Sequence, residues 1–280
     1  MGNNNEYDRI KDRFLLLKKE KRKGLIPFIT ASDPNIDIFE EILIGLPGSG
    51  ADFIEIGIPF SDPMADGPSI QLSSRRVLQK KFRLKELFQS VSKLRKTDNI
   101  TPVILMGYYN PIFTFGIKEF VSRAVSAGVD ALIVVDLPPE EADELYQHAI
   151  NENLHLIFLI APTTNEQRFS VILEKASGFL YYVSIKGITG TSSANMTEVK
   201  EKINFIRTKT PLPVAVGFGI KNAKQAYEFA KYSDVVVVGS AIVDIITKSI
   251  KDGEKDFTSL PSKVFSFVNA LSKEVLRSGS

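Results

Sequence analysis

The chain has 280 residues, no cysteine and a formal net charge of +2. The lack of cysteine excludes disulfides, thiolate zinc sites and thiol nucleophiles together, and leaves the redox compartment undetermined. A nearly balanced charge argues against a nucleic-acid or anionic-membrane surface, and no uncharged apolar run reaches the ~18 residues needed to span a bilayer, so a cytoplasmic protein without nucleic-acid or membrane partners is the default expectation.

Met1-Gly2 opens a polar stretch without the apolar centre of a secretory signal, and Glu6 stands where a myristoylation motif requires Ser or Thr. A helix is expected from about Tyr7 to Lys19, and the basic run from Lys18 to Lys23 at its end reads as a solvated face favourable to a helix C-terminus. Short apolar, largely β-branched runs then recur at Leu25–Thr30, Phe53–Ile58, Val103–Gly107, Ala131–Asp136, Leu154–Ile160, Phe179–Ser184, Val214–Gly217 and Val235–Gly239. Between and after them lie segments of helical character near Ile36–Leu46, Leu84–Arg95, Ile117–Ala127, Pro139–Asn151, Glu166–Ala176, Met196–Thr208, Ala223–Ala230 and Ala241–Lys251. Alternating strand and helix implies a parallel sheet with right-handed crossovers. Eight such units fit a closed (β/α)8 TIM barrel, here with an extra N-terminal helix capping its bottom, better than an open doubly wound sheet.

No Pro-, Gly- or Ser-rich linker divides the chain, so residues 1–280 read as a single domain, with 1–23 holding the N-terminal helix and 252–280 a C-terminal helix, near Ser262–Arg277, and a frayed tail. Gly187–Ala194, the most polar small-residue stretch away from the termini, reads as a mobile loop after the sixth strand.

In this fold the chemistry sits at the C-terminal ends of the strands and in the loops that follow. The most informative segment runs from Asp52 to Pro68. Ile54, Ile56 and Ile58 alternate with Phe53, Glu55 and Gly57, so an outward isoleucine face directs Glu55 into the barrel. A carboxylate there is costly unless paired or needed, and burial raises its pKa. The structural alternative is a glutamate held by an arginine or by backbone amides; its position near the active end favours general acid/base work. Asp62 and Asp66 follow in a loop stiffened by Pro59, Pro63 and Pro68. Gly217-Phe218-Gly219 follows the seventh strand, and Gly239-Ser240 follows the eighth and opens a helix. Glycines admit a phosphate close to the backbone and a helix N-terminus offers unpaired N–H groups, which makes these two loops, with Gly190 from the sixth, the candidate phosphate site.

The run Glu55-Ile-Gly-Ile-Pro-Phe-Ser-Asp-Pro-Met-Ala-Asp-Gly-Pro68 resembles the signature of tryptophan synthase α subunits. The likeness continues at Pro27-Phe-Ile-Thr-Ala-Ser-Asp-Pro34, Pro102-Val-Ile-Leu-Met-Gly-Tyr-Tyr-Asn-Pro111, Val135-Asp-Leu-Pro138, Ala161-Pro-Thr-Thr164, Gly187-Ile-Thr-Gly190, Pro213-Val-Ala-Val-Gly-Phe-Gly-Ile220 and Val238-Gly-Ser-Ala-Ile-Val243. It therefore spans about residues 24 to 250. The resemblance implies a lyase that splits indole-3-glycerol phosphate into indole and glyceraldehyde 3-phosphate. It also implies Glu55 as principal acid/base, Asp66 on the indole nitrogen, and Tyr181, Phe28 and Met106 in the substrate pocket. No metal or organic cofactor is implied for this chain; the expected partner is a β subunit, in an α2β2 tetramer, that carries pyridoxal phosphate and receives the indole. Pro59 and Tyr108 are expected among the partner contacts. Lys186, where relatives often carry a small or hydroxyl residue, and the lack of arginines after Gly190 depart from the pattern and bear on loop closure and coupling to a partner.

Three other readings compete. A free-standing indole-3-glycerol phosphate lyase would use the same residues, and a catalytically silent subunit would only activate a β partner. A Schiff-base aldolase would use Lys186. Metal-assisted hydrolysis fits poorly, because the only histidines, His148 and His155, fall on a helix and near the start of a strand.

Overall fold

The computed structural model describes residues 8–183, 193–217, 219–253 and 257–279. Its strands are β1 (Gly24–Thr30), β2 (Ile54–Gly57), β3 (Val103–Gly107), β4 (Ala131–Val134), β5 (His155–Leu156), β6 (Leu159–Ile160), β7 (Leu180–Val183), β8 (Val214–Gly217) and β9 (Val235–Val238). All the pairings are parallel, in the order β5-β4-β3-β2-β1-β9-β8-β7-β6. The two ends of that order are consecutive pieces of one expected strand. Ile157 N–H donates to Leu132 on one side and Phe158 C=O accepts from Tyr181 on the other, so segment 155–160 joins the sheet's two ends and closes the (β/α)8 ring.

The helices are α1 (Arg9–Lys19), α2 (Ile36–Gly45), α3 (Pro68–Leu78), α4 (Leu84–Arg95), α5 (Tyr109–Phe115), α6 (Ile117–Ala127), α7 (Asp143–Asn151), α8 (Glu166–Lys175), α9 (Ser193–Lys209), α10 (Ala223–Ala230), α11 (Ser240–Lys251) and α12 (Leu260–Arg277). Most expected elements are present within a few residues of their expected bounds. The stretch expected as one helix from Pro139 opens instead with a 3-10 turn, Pro139–Glu141, and α7 begins at Asp143. Helices α3 and α5 were not expected from the sequence.

Strand periodicity sorts the apolar residues into two layers. Leu25, Ile29, Ile54, Ile56, Val103, Leu105 and Leu132 face the helices, while Ile26, Phe53, Ile104, Ala131, Ile133, Tyr181, Ala215 and Val237 fill the barrel. The expected N-terminal cap is there: Ile10, Phe14 and Leu17 of α1 join the inner cluster. Phe14 sits 4.9 Å from Phe53 and 5.8 Å from Phe179, ring centre to ring centre, so α1 plugs the bottom with an aromatic trio.

A polar device repeats along the bottom rim. Leu25 N–H donates to Asp52, Val103 N–H to Asp130, Leu156 N–H to Ser177 and Val214 N–H to Asp234. In return the N–H of each of those four polar residues donates to the carbonyl of the same partner. Each reciprocal clasp sets the register between one odd stave of the barrel and the next even one. Three of them are reinforced by cations: Arg22 and Arg13 on Asp52, Arg9 and Arg95 on Asp130, and Arg207 and Lys23 on Asp234. Part of the basic run at Lys18–Lys23 is therefore structural. Arg22 and Lys23 join these pairs, while Lys18, Lys19 and Lys21 stay exposed.

Candidate active site

Glu55 lies in the middle of β2, in register with Phe28 of β1 and Ile104 of β3. Its alternation with Ile54 and Ile56 turns it inward, as expected, and it is 1% exposed. Among the described residues, neither Oε1 nor Oε2 has a hydrogen-bond partner. No arginine or backbone amide among the described residues holds it, unlike the glutamate of the structural alternative. Burial, with the Asp66 carboxylate as a second cause, pushes its pKa up to about 8.

Asp66 is placed by the stiff loop after β2. Its N–H donates to the Pro63 carbonyl at 3.0 Å, and its own carbonyl accepts from Gln71 Nε2 at 2.9 Å. Pro68 occupies the first turn of α3, where its missing N–H costs nothing. Burial raises the Asp66 carboxyl to about 6, opposed by a hydrogen bond from Tyr108.

Tyr108 follows β3 and is 3% exposed. It corrects the expectation of a surface partner contact: its hydroxyl accepts from Ala65 N–H at 2.9 Å and bonds the Asp66 carboxylate. Burial, and then the negative charge of Asp66, hold its phenol well above the usual range, so it stays a donor. Pro59 is buried too. Exposed apolar side chains near the loops after β2 and β3 are instead Met64, 85% exposed, and Phe113, 60% exposed.

Tyr181, on β7, points into the barrel and is kept protonated by burial and by the neighbouring Glu55. Gly217, on the adjacent β8, makes room for it, since a methyl group there would stand 2.5 Å from Tyr181 Oη. Gly57 does the same for Phe28, whose ring occupies the space a Cβ would need. Phe28, Gly57, Asp66, Met106, Tyr108 and Val135 surround a cavity of only about 10 Å³, room for one water at most.

Among the candidate phosphate residues, Gly217 is buried against Tyr181, while Gly219, at φ +72°, and Gly239 are partly exposed. Gly239 caps α11 without a side-chain bond and Ser240 is that helix's first residue, so the first-turn N–H groups have no partner within the helix. Gly217 pairs with Val237, which puts the ends of β8 and β9 side by side. Gly190, Phe218 and Lys186 lie outside the described residues, as does most of Gly187–Ala194.

The described residues contain no group of three or more His, Asp or Glu arranged to hold a metal ion. His155 bonds Asp8 at the bottom of the barrel, 3.1 Å from Nε2, far from the strands' active ends. Sequence reasoning missed Tyr108 as a site residue, although its place directly after β3 was a usable signal.

A sequence profile described as Tryptophan synthase alpha chain matches residues 14–272. The chain is 47% identical over 254 residues to the tryptophan synthase alpha chain of Gluconobacter oxydans, covering 91% of this chain and 94% of that one. It is 46% identical to the corresponding chain of Granulibacter bethesdensis, with 91% of each covered. The crystal structure of tryptophan synthase subunit alpha from Legionella pneumophila superposes with a TM-score of 0.88 at 38% identity, covering 96% of this chain and 98% of that one.

Proposed function

The chain belongs to the tryptophan synthase alpha chain family, and from that membership we propose how its own residues carry out the family's lyase reaction. That reaction is the retro-aldol cleavage of indole-3-glycerol phosphate to indole and glyceraldehyde 3-phosphate, a step of tryptophan biosynthesis. The carbon–carbon bond beside the ring breaks readily once ring C3 is protonated. Glu55, neutral at pH 7 and without a hydrogen-bond partner among the described residues, mediates that protonation, and its carboxylate takes the proton from the side-chain hydroxyl as the aldehyde forms. Asp66, mostly ionised at the same pH, holds the ring N–H as the nitrogen gains positive charge. Two carboxyls whose surroundings push their pKa values apart receive the two roles. Phe28 and Met106 pack against the ring and Tyr181 lines the pocket. The phosphate rests on Gly190, Gly217, Phe218 and Gly219 and on the N-terminus of α11 at Gly239 and Ser240. The narrow cavity requires side chains to shift for substrate to enter.

The single observation that carries this reading is Glu55: an inward-facing, fully buried carboxyl with no hydrogen-bond partner among the described residues, near enough to Asp66 for that charge to raise its pKa. Positioned proton transfer is worth on the order of 10²–10⁴ in rate, so Glu55→Gln is expected to lose at least about 10² in indole release while keeping substrate affinity. Near-normal turnover in that variant would sink the assignment.

For the assembly we propose a β subunit as partner, in an α2β2 complex, contacted through the exposed Met64 and Phe113 beside the site. The chain, as one barrel domain, acts in the cytoplasm; no described helix is long and apolar enough to cross a membrane. Indole release measured with and without a tryptophan synthase β subunit separates this reading from a free-standing lyase, which would turn over rapidly alone. It also separates it from a silent activator, which would release none.

A further inference from the structure

The loop leaving β1 carries Asp33, whose side chain is fully inaccessible. Its carboxylate accepts from Ser73 Oγ at 2.6 Å and takes the fork of Arg76 through Nε at 3.0 Å and Nη2 at 2.7 Å. Arg76 Nη1 is left to donate to Thr247 Oγ1 at 3.1 Å. Ser73 and Arg76 belong to α3 and Thr247 to α11, so a buried carboxylate and a partly buried guanidinium join the β1 loop to both helices. Lys80 Nζ adds a second tie from the end of α3, donating to the Pro34 carbonyl at 2.8 Å.

Both helices lead to the site. The first turns of α3 hold the Asp66 loop through Gln71, and α11 begins at Ser240, about 10 Å along its axis from Thr247. A guanidinium is planar with its donors in fixed directions, so it tolerates little sliding between the groups it joins. Asp33 cannot release it cheaply, because a buried carboxylate without its partner is costly. A shift of α11 along its axis is therefore passed to α3.

We propose that Asp33, Arg76 and Thr247 form a positioning clamp that makes occupancy of the phosphate end at α11 and of the ring end at Asp66 depend on each other. The inference rests on the site assigned above. It adds that the two ends, built on opposite sides of β1, are linked through side chains that touch neither. Two sites joined this way share a reciprocal coupling, each ligand tightening the other by the same factor.

The test is a binding cycle on the full chain with indole as the ring-end ligand and glycerol 3-phosphate as the phosphate-end ligand, each titrated with and without the other. In the unaltered protein glycerol 3-phosphate is expected to tighten indole at least about fivefold, the low end of ordinary coupling. Thr247→Val keeps the side chain's shape and leaves the Asp33–Arg76 pair in place, and it is expected to bring that factor to within about twofold of unity with each separate affinity little changed. Thr247→Ser, which retains the hydroxyl, is expected to keep the coupling, and Thr247→Ala substitutes for valine if that variant does not fold. Independent binding of the two ligands in the unaltered protein, or full coupling in Thr247→Val, overturns the clamp while leaving the site intact. Failure of either ligand to bind the unaltered protein overturns the site and the clamp with it.

Discussion

Between about pH 6 and pH 8 Glu55 keeps its proton while Asp66 is ionised. The rate of indole-3-glycerol phosphate cleavage is accordingly expected to fall below about pH 6, as Asp66 gains a proton, and above about pH 8, as Glu55 loses one. Stability carries the Glu55 shift as well, but in one direction only. With the Glu55 carboxyl raised from 4.5 to about 8 in the fold, the folded state keeps a proton that the unfolded chain releases across that window. Stability therefore falls as pH rises from about 4.5 to 8 and is flat in this respect above it. Thermal melts of Glu55→Gln against the unaltered protein are expected to diverge over that range, the variant becoming the more stable by a margin that grows until pH 8. Asp66→Asn removes the second cause of the shift, so its Glu55 titrates lower and the loss of stability ends at a lower pH. A variant Glu55→Gln with a pH profile parallel to the unaltered protein would show that Glu55 titrates normally. Inward-pointing Glu55 was legible in the sequence, because a strand alternates and its isoleucines declare the other face. That its oxygens lack partners among the described residues was not, since it depends on what the far side of the barrel supplies. Tyr108 differs from its sequence reading for a similar reason: Tyr-Tyr-Asn-Pro looks like surface loop until β3 and the Asp66 loop are brought together.

At the level of elements, the strands and most helices were readable because each carries its own period and its own stop signals. Two helices were not. In α3, Pro-Ser-Ile-Gln-Leu-Ser-Ser-Arg-Arg-Val-Leu is too polar to declare an apolar face, as its buried residues include Ser73 and Ser74. α5 is seven residues long and has Pro111 in its first turn, so it offers little periodicity to detect. The fifth stave reads as continuous in the sequence, yet its ladder is regular only at its two ends, because it pairs with one neighbour first and with the other later. The bottom-rim clasps were also invisible in the sequence, since an aspartate ahead of a strand ordinarily reads as a turn. Asp130 shows what such a clasp is worth. It meets Arg9, Arg95 and the Val103 N–H at once. Asp130→Ala takes one carboxylate from two guanidinium groups that keep Asn99, Gly128 and Thr101 as partners, and leaves the buried Val103 amide without its acceptor. It is expected to lower stability by about 1–3 kcal/mol in urea unfolding. A loss under about 1 kcal/mol would mean that water replaces the carboxylate without penalty.

For the molecule as a whole, the sequence specified a barrel because eight alternating units have few other parallel solutions, and the capping of its bottom by α1 followed from the leftover N-terminal helix. The partner surface was less legible. Pro59 and Tyr108 turn inward, and the exposed apolar side chains beside the site, Met64 and Phe113, became visible only once the loops were folded. Phe113→Asp places a charge on that surface without touching Glu55 or Asp66. It is expected to weaken acceleration of indole release by a β subunit at least about tenfold, the loss typical of truncating or charging an interface anchor, with turnover of the isolated chain unchanged. Undiminished acceleration would move the contact elsewhere.

The reciprocal clasps have a consequence for the order in which this chain takes shape. They close over 27, 27, 21 and 20 residues, so each joins neighbours in sequence and none waits for the ring to be complete. Short loops close at small entropic cost and close fast. As the chain leaves the ribosome, from its N-terminus onward, successive pairs of staves can each fix their own alignment before the next pair exists. The long-range step that remains, joining the last stave to β1 under the α1 plug, then brings together segments whose register is already set.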